Sequence, residues 1–209
     1  MSLPDSRTGV PDGASTGAPA TRLGAPLPDA LHGDTVRVLS GWDAPDDDQA
    51  RLRDAYLAHL AAYPDGTYRV RPEGHVTASA AIIDPTAGRV LLTLHPKVGL
   101  WLQTGGHLEA GDASLAAAAL REATEESGIA GLELLPDPVR LDRHDVRCGG
   151  PNAWSVHYDV QYAVIAPSDA VPEISAESLD LRWFAFGALP ERTDDAVRRL
   201  VTQAAALAG

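Results

Sequence analysis

Residues 105–129 constrain this chain more than any other stretch. The run opens on the pair Gly105-Gly106, continues through His107-Leu108-Glu109-Ala110-Gly111-Asp112, and closes as Arg121-Glu122-Ala123-Thr124-Glu125-Glu126-Ser127-Gly128-Ile129. Helix signals frame it. Asp112 is a good N-cap, Ser114 to Ala119 is rich in strong helix formers, and Gly128 stands where a left-handed C-cap residue is wanted. On such a helix Glu122, Glu125 and Glu126 fall at i, i+3 and i+4 and share one face, while Ala116, Leu120 and Ala123 turn toward a core. Like charges so placed weaken a helix by roughly a few tenths of a kcal/mol per pair. Either water solvates this face, as it does most acidic helix faces, or a hard divalent cation with oxygen ligands offsets the repulsion. The preceding glycine pair lets backbone groups approach a ligand closely.

Taken together, this run resembles the signature of the Nudix hydrolase family: Gly, five residues, Glu, seven residues, then Arg-Glu-hydrophobic-x-Glu-Glu-x-Gly-hydrophobic. Arg121 to Ile129 match every fixed position of the second half. The first half departs from it. From Gly106, five residues lead to Asp112 in place of Glu, and eight residues rather than seven separate Asp112 from Arg121. We read this as a one-residue insertion in the turn before the helix, with Asp112 in the acid's place. Leu100-Trp101-Leu102-Gln103 before the glycines and Leu181-Arg182-Trp183-Phe184 near the C-terminus extend the likeness over residues 70–207.

The resemblance implies an α/β fold, a Nudix-type α/β/α sandwich with a mixed β-sheet. It implies a metal-dependent pyrophosphohydrolase that cleaves a phosphoanhydride bond in a nucleoside diphosphate linked to another moiety, or in a similar small diphosphate. Glu122, Glu125 and Glu126 are the implied magnesium ligands (manganese being the other candidate), joined by the backbone carbonyl of Gly105. Arg121 is implied to hold a glutamate by ion pairing. A further acid outside the box often serves such enzymes as general base; Glu177 is the candidate and Glu173 the runner-up, each equally readable as a surface loop acid. Magnesium takes carboxylates together with waters and substrate oxygens, which suits an open glutamate face.

Two other functions fit this sequence less well. A Nudix-fold ligand-binding or sensor module is favoured only by the altered turn. A prenyl diphosphate isomerase of the same fold needs a cysteine and an acid in the pocket, and Cys148 sits in the glycine-rich Cys148-Gly149-Gly150-Pro151. His107, inside the site turn, is a candidate for contacting substrate, with turn capping as the alternative. His157 shares a strand face with Asp159 and either lines the pocket or makes a cross-strand hydrogen bond. The spacing of His95, His107, His144 and His157 is not that of a zinc site, and a single cysteine gives neither a disulfide nor a zinc-ligand cluster.

A formal net charge of −12 argues against gripping nucleic acid through its phosphates. A small phosphorylated substrate stays compatible, because bound cations invert the local potential. Short apolar runs and the lack of a basic-then-apolar N-terminus predict a cytoplasmic protein without a membrane span. Residues 1–30, rich in Pro, Gly, Ser, Thr, Ala and Asp, read as a disordered or loosely held tail. Residues 31–69 read as a helical extension, with a helix from Asp46 to Tyr63 carrying Gln49, Leu52, Tyr56 and Leu60 at helical spacing. That helix either covers the sheet or packs against a second subunit in a homodimer. In the domain at 70–209, strands are expected at His75–Ile83, Arg89–His95, Trp154–Ile165 and Leu179–Phe186. The prolines at 136 and 138 predict a broken strand over Leu132–Leu141, and Thr193–Leu207 a closing amphipathic helix.

Overall fold

The apolar run from His75 and the alternating run from Trp154 lie side by side in parallel, and the other elements are arranged around them. The computed structural model describes residues 29–148, 154–176 and 178–208. In chain order its elements are α1 (Ala30–Gly41), α2 (Asp47–Ala62), β1 (His75–Asp84), β2 (Arg89–Leu94), β3 (Trp101–Leu102), β4 (Thr104–His107), α3 (Leu115–Ser127), β5 (Glu133–Leu134), β6 (Arg140–Arg147), β7 (Trp154–Ile165), β8 (Leu181–Ala185) and α4 (Asp195–Leu207). The expected tail, residues 1–28 of it, lies outside the described residues.

All eight strands join one mixed sheet with β1 and β7 at its centre, in the register His75↔His157 through Ile83↔Ile165. Each central strand changes neighbour along its length. β1 pairs β4 through Thr77–Ala80 and β2 through Ile82–Asp84, while β7 pairs β6 in its first part and β5 at its end. The glycine pair of the site loop is therefore held as strand backbone beside β1.

Side chains alternate across a strand, so each central strand feeds both faces. Val76, Ala78, Ala80 and Ile82, with Tyr158, Val160, Tyr162 and Val164, pack under α1, α2 and α3. On the opposite face Ala81, Ile83 and Ala163 meet Val197, Leu200, Val201 and Ala204 of α4. Helices thus cover both faces, as the sandwich reading required. The polar residues of that second face include His75, Thr77 and Ser79 of β1 and Asp159 and Gln161 of β7, all buried, and the half-buried His157.

The sequence reading placed α2 within a residue at each end. Its Gln49 is buried, donating to the Leu141 carbonyl (3.2 Å) and accepting from the Leu141 N–H (2.7 Å), and its Tyr56 hydroxyl donates to the Asp142 carbonyl (2.6 Å). Helix α2 therefore covers the sheet. The elements not expected individually were the short β3 and β4, α1, whose Leu31, Thr35 and Leu39 are buried one turn apart, and β6, whose charged sequence Arg-Leu-Asp-Arg-His-Asp-Val-Arg hides its strand character. Among the described residues no helix is long and apolar enough to cross a membrane.

The N-terminus of α3 differs from expectation. Ser114 is its N-cap, accepting from the Ala117 N–H (3.1 Å), and Asp34 of α1 accepts from the Leu115 N–H (2.8 Å), adding a carboxylate at the positive end of the helix. The apolar side is also rotated. Leu115, Ala118, Ala119 and Ala123 are buried, whereas Ala116 and Leu120 are half-buried. Leu115→Ala should therefore cost about 2–5 kcal/mol by leaving a cavity in a packed core, and Leu120→Ala distinctly less. Urea unfolding of the two variants checks this; equal losses would contradict the packing described.

Candidate active site

Two glycines let β4 fit between β1 and α3. Gly105 has φ +154°, and a Cβ there would come within 2.3 Å of the Ser79 Cβ, so only glycine fits. A Cβ on Gly106 would lie 2.6 Å from Glu122 Oε1. The carboxylate of Glu122 thus occupies the space that a side chain on the strand would fill. Next to it, Glu126 Oε1 accepts from the Gly105 N–H at 3.3 Å. At the other end of the helix Gly128 adopts the expected left-handed conformation, φ +67°.

Arg121 organises the acids. Its Nε donates to Asp112 Oδ1 (2.9 Å), Nη1 to Glu122 Oε1 (2.9 Å) and Glu125 Oε2 (3.1 Å), and Nη2 to Asp112 Oδ2 (3.0 Å) and the His107 carbonyl (3.1 Å). A guanidinium offers five N–H donors in a fixed fork, and here each has an acceptor. Asp112 closes the turn as well, accepting from the Glu109 N–H at 2.8 Å, while its own N–H donates to the Glu109 carbonyl at 3.0 Å. Asp112 is therefore not the helix cap. The inserted residue is accommodated in this 109–112 turn, which hands the carboxylate to Arg121. Burial pushes the Asp112 carboxyl up, but the Arg121 and Glu109 hydrogen bonds outweigh it and hold the group below the ordinary carboxylate range.

The acids differ in exposure. Glu122 is tucked in, its side chain 13% exposed, whereas Glu125 is 61% exposed. Their arrangement is that of a carboxylate face open on one side, the donor set a hard divalent cation takes. Glu177 lies outside the described residues. The runner-up, Glu173, donates its backbone N–H to the Ser127 carbonyl (2.8 Å), which brings it to the C-terminal end of α3.

A second cluster lies beside the first. His107 of β4 and His157 of β7 come together with His75 and Cys148, although spacing along the chain argued against any such grouping. The four offer ligand atoms all within 4.8 Å of one another. The cause is tertiary: sheet register sets His75 opposite His157, and Thr77 of the same strand face opposite His107. Burial first, then the neighbouring imidazoles and Arg69, push His157 down to about 3; burial, His75 and nearby cations push His107 down to about 4. These rings are neutral at physiological pH. Cys148 has its Sγ 3.5 Å from His107 Nε2. The signal that could have revealed the cluster was the polar set His75, Thr77, Ser79 at alternate positions of an apolar strand.

Farther along this face, Asp159 accepts from Thr77 Oγ1 (3.0 Å), Ser79 Oγ (2.7 Å) and Gln161 Nε2 (3.1 Å). The cross-strand hydrogen bond weighed for this strand is thus made by Asp159. Trp101 packs edge-on against Phe184 at 4.9 Å in the second core, and Trp183 packs against the first.

The model of the NUDIX domain matches residues 73–204, more than half of the chain. Among solved structures, a hydrolase of the NUDIX family from Clostridium perfringens is similar at 27% identity and TM-score 0.53, covering 65% of this chain and 98% of that one. A MutT NUDIX hydrolase from Burkholderia pseudomallei aligns at 27% identity and TM-score 0.44, over 61% of this chain and 95% of that one. No curated protein matches the chain.

The Asp112–Arg121 pair has a pH signature. Because the folded-state pKa of Asp112 is depressed, its contribution is present above the ordinary value of 3.8 and lost as pH falls through the folded value. Asp112→Asn should thus melt below wild type at neutral pH, and the gap should close at pH below about 4. Thermal melts across that range measure it. A gap that stays constant would show that the pair contributes nothing ionic.

Proposed function

The chain belongs to the Nudix family and is an enzyme of the pyrophosphohydrolase kind, and from that premise we propose that it is a divalent-metal-dependent hydrolase of a nucleoside diphosphate linked to another moiety. The observation carrying this reading is the pair Glu122 and Glu126 set against the Gly105-Gly106 backbone, with Glu125 joined to Glu122 through Arg121. Magnesium, or manganese, would be held by Glu122, Glu125, Glu126 and the Gly105 carbonyl. When bound it would supply charge neutralisation on the bridging phosphates and orientation of the attacking water.

The chain's own residues have separable tasks. Arg121, with every donor engaged, positions Glu122 and Glu125 and is not free to bind substrate. Asp112 keeps Arg121 in place, so it takes over the part assigned to the glutamate of the family signature. The glycines keep the strand side of the site open. The general base is assigned to Glu177 on its place in the sequence just before β8, with Glu173 as the other candidate. Water attacks one phosphorus of the diphosphate as the bridging P–O bond to the other breaks; the base takes the water's proton, and two products, each ending in a phosphate, leave.

Product release from nucleoside diphosphate derivatives, dinucleoside polyphosphates and nucleoside triphosphates, with magnesium, manganese or chelator, tests the reading. Cleavage should require metal and fall by orders of magnitude in Glu126→Gln, which removes a ligand with little change of shape. Undiminished turnover in that variant, or in chelator, would sink the metal role. Thermal stabilisation by these compounds without turnover would favour a binding module.

A further inference from the structure

We propose that His75, His107, Cys148 and His157 form a second metal centre, distinct from the glutamate face, that takes a zinc-class divalent cation. Their potential ligand atoms lie within 4.8 Å of one another, and one pair, Cys148 Sγ and His107 Nε2, is already 3.5 Å apart. With Zn–N near 2.0–2.1 Å and Zn–S near 2.3 Å, a tetrahedral site has ligand–ligand edges of about 3.3–3.8 Å. Side-chain rotations that draw the remaining atoms in by about an ångström complete it.

A second observation points the same way. His75 is wholly buried, with Nδ1 3.4 Å from Ser155 Oγ, and its Nε2 is a buried polar atom without a hydrogen-bond partner. The Nε2 of His157 is likewise buried and unpartnered. Buried imidazole nitrogens ordinarily find partners; a cation would satisfy both. The Ser155 contact to the far ring nitrogen of His75 is the kind that fixes the orientation of a metal-bound histidine.

Three imidazoles and a thiolate select zinc, cobalt or a related d-block ion over magnesium, which the carboxylates favour. All four positions come from protein, which makes this a closed, structural site rather than one with room for a reacting water. Its ligands come from β1, β4, the segment after β6, and β7. A cation there would tie β4 to the centre of the sheet, and β4 carries both Gly105, bound to Glu126, and the His107 carbonyl, bound to Arg121. His107 and His157 are on this reading metal ligands and not contacts to substrate.

Metal analysis of the full-length protein after dialysis against excess magnesium, followed by cobalt(II) substitution, tests the proposal. About one zinc-class ion per chain should be retained. Cobalt should give tetrahedral d–d absorption with a thiolate-to-cobalt charge-transfer band. Cys148→Ser, a conservative change at a half-buried position after β6, should abolish that band; His157→Gln should lose retention of the ion. Glu126→Gln should leave both unchanged. Wild type without retained ion or charge-transfer band would overturn the proposal, as would a band that survives Cys148→Ser or vanishes in Glu126→Gln.

Discussion

The guanidinium of Arg121 is the interaction on which the rest of the site depends. It lies among Asp112, Glu122 and Glu125 and reaches the backbone of His107, so it joins the turn, the helix and the strand at one point. Arginine suits this place because its planar fork fixes several acceptors at once, which a lysine ammonium does not. With Glu126 on the Gly105 N–H, four carboxylates stand against one guanidinium in this group. That balance holds the helix face in shape and still leaves it attractive to a cation.

Behind this point stands the parallel pair of β1 and β7. An ordinary strand pair would place an apolar layer on each face along its whole length. Here the face under α4 is apolar only at Ala81 and Ile83 of β1 and Ala163 and Ile165 of β7, and polar from His75 to Ser79 and from His157 to Gln161. Buried polar side chains are costly unless they find partners. Asp159 finds three donors among its neighbours. The imidazoles crowd one another instead, and a sheet that keeps such a cluster in its interior points to a ligand for it.

The helical extension also acts on the site. Asp34 of α1 accepts from the Leu115 N–H, while α2 is fastened to β6 through Gln49 and Tyr56. Thus an element far upstream adds a carboxylate at the positive end of the acidic helix, where it stabilises that helix.

Much of this was legible in the residues. Periodicity places β7 and, within a residue or two, α2, β1, β2 and α4, because long patterned runs bury their apolar side by local geometry alone. The spacing of Glu122, Glu125 and Glu126, and the arginine beside them, likewise fixes a shared helix face. The sequence does not reveal the cap exchange, in which Ser114 replaces Asp112, because both are good caps and the tie of Asp112 to Arg121 and to the Glu109 turn separates them. Nor could it reveal α1 or β6, whose burial comes from partners distant in the chain. The sequence by itself determined the acidic helix, the glycine pair beneath it and the alternation of the central strands. Only the tertiary structure decided that His75, His107, Cys148 and His157 meet, because sheet register and a loop bring together residues drawn from four separate segments of the chain.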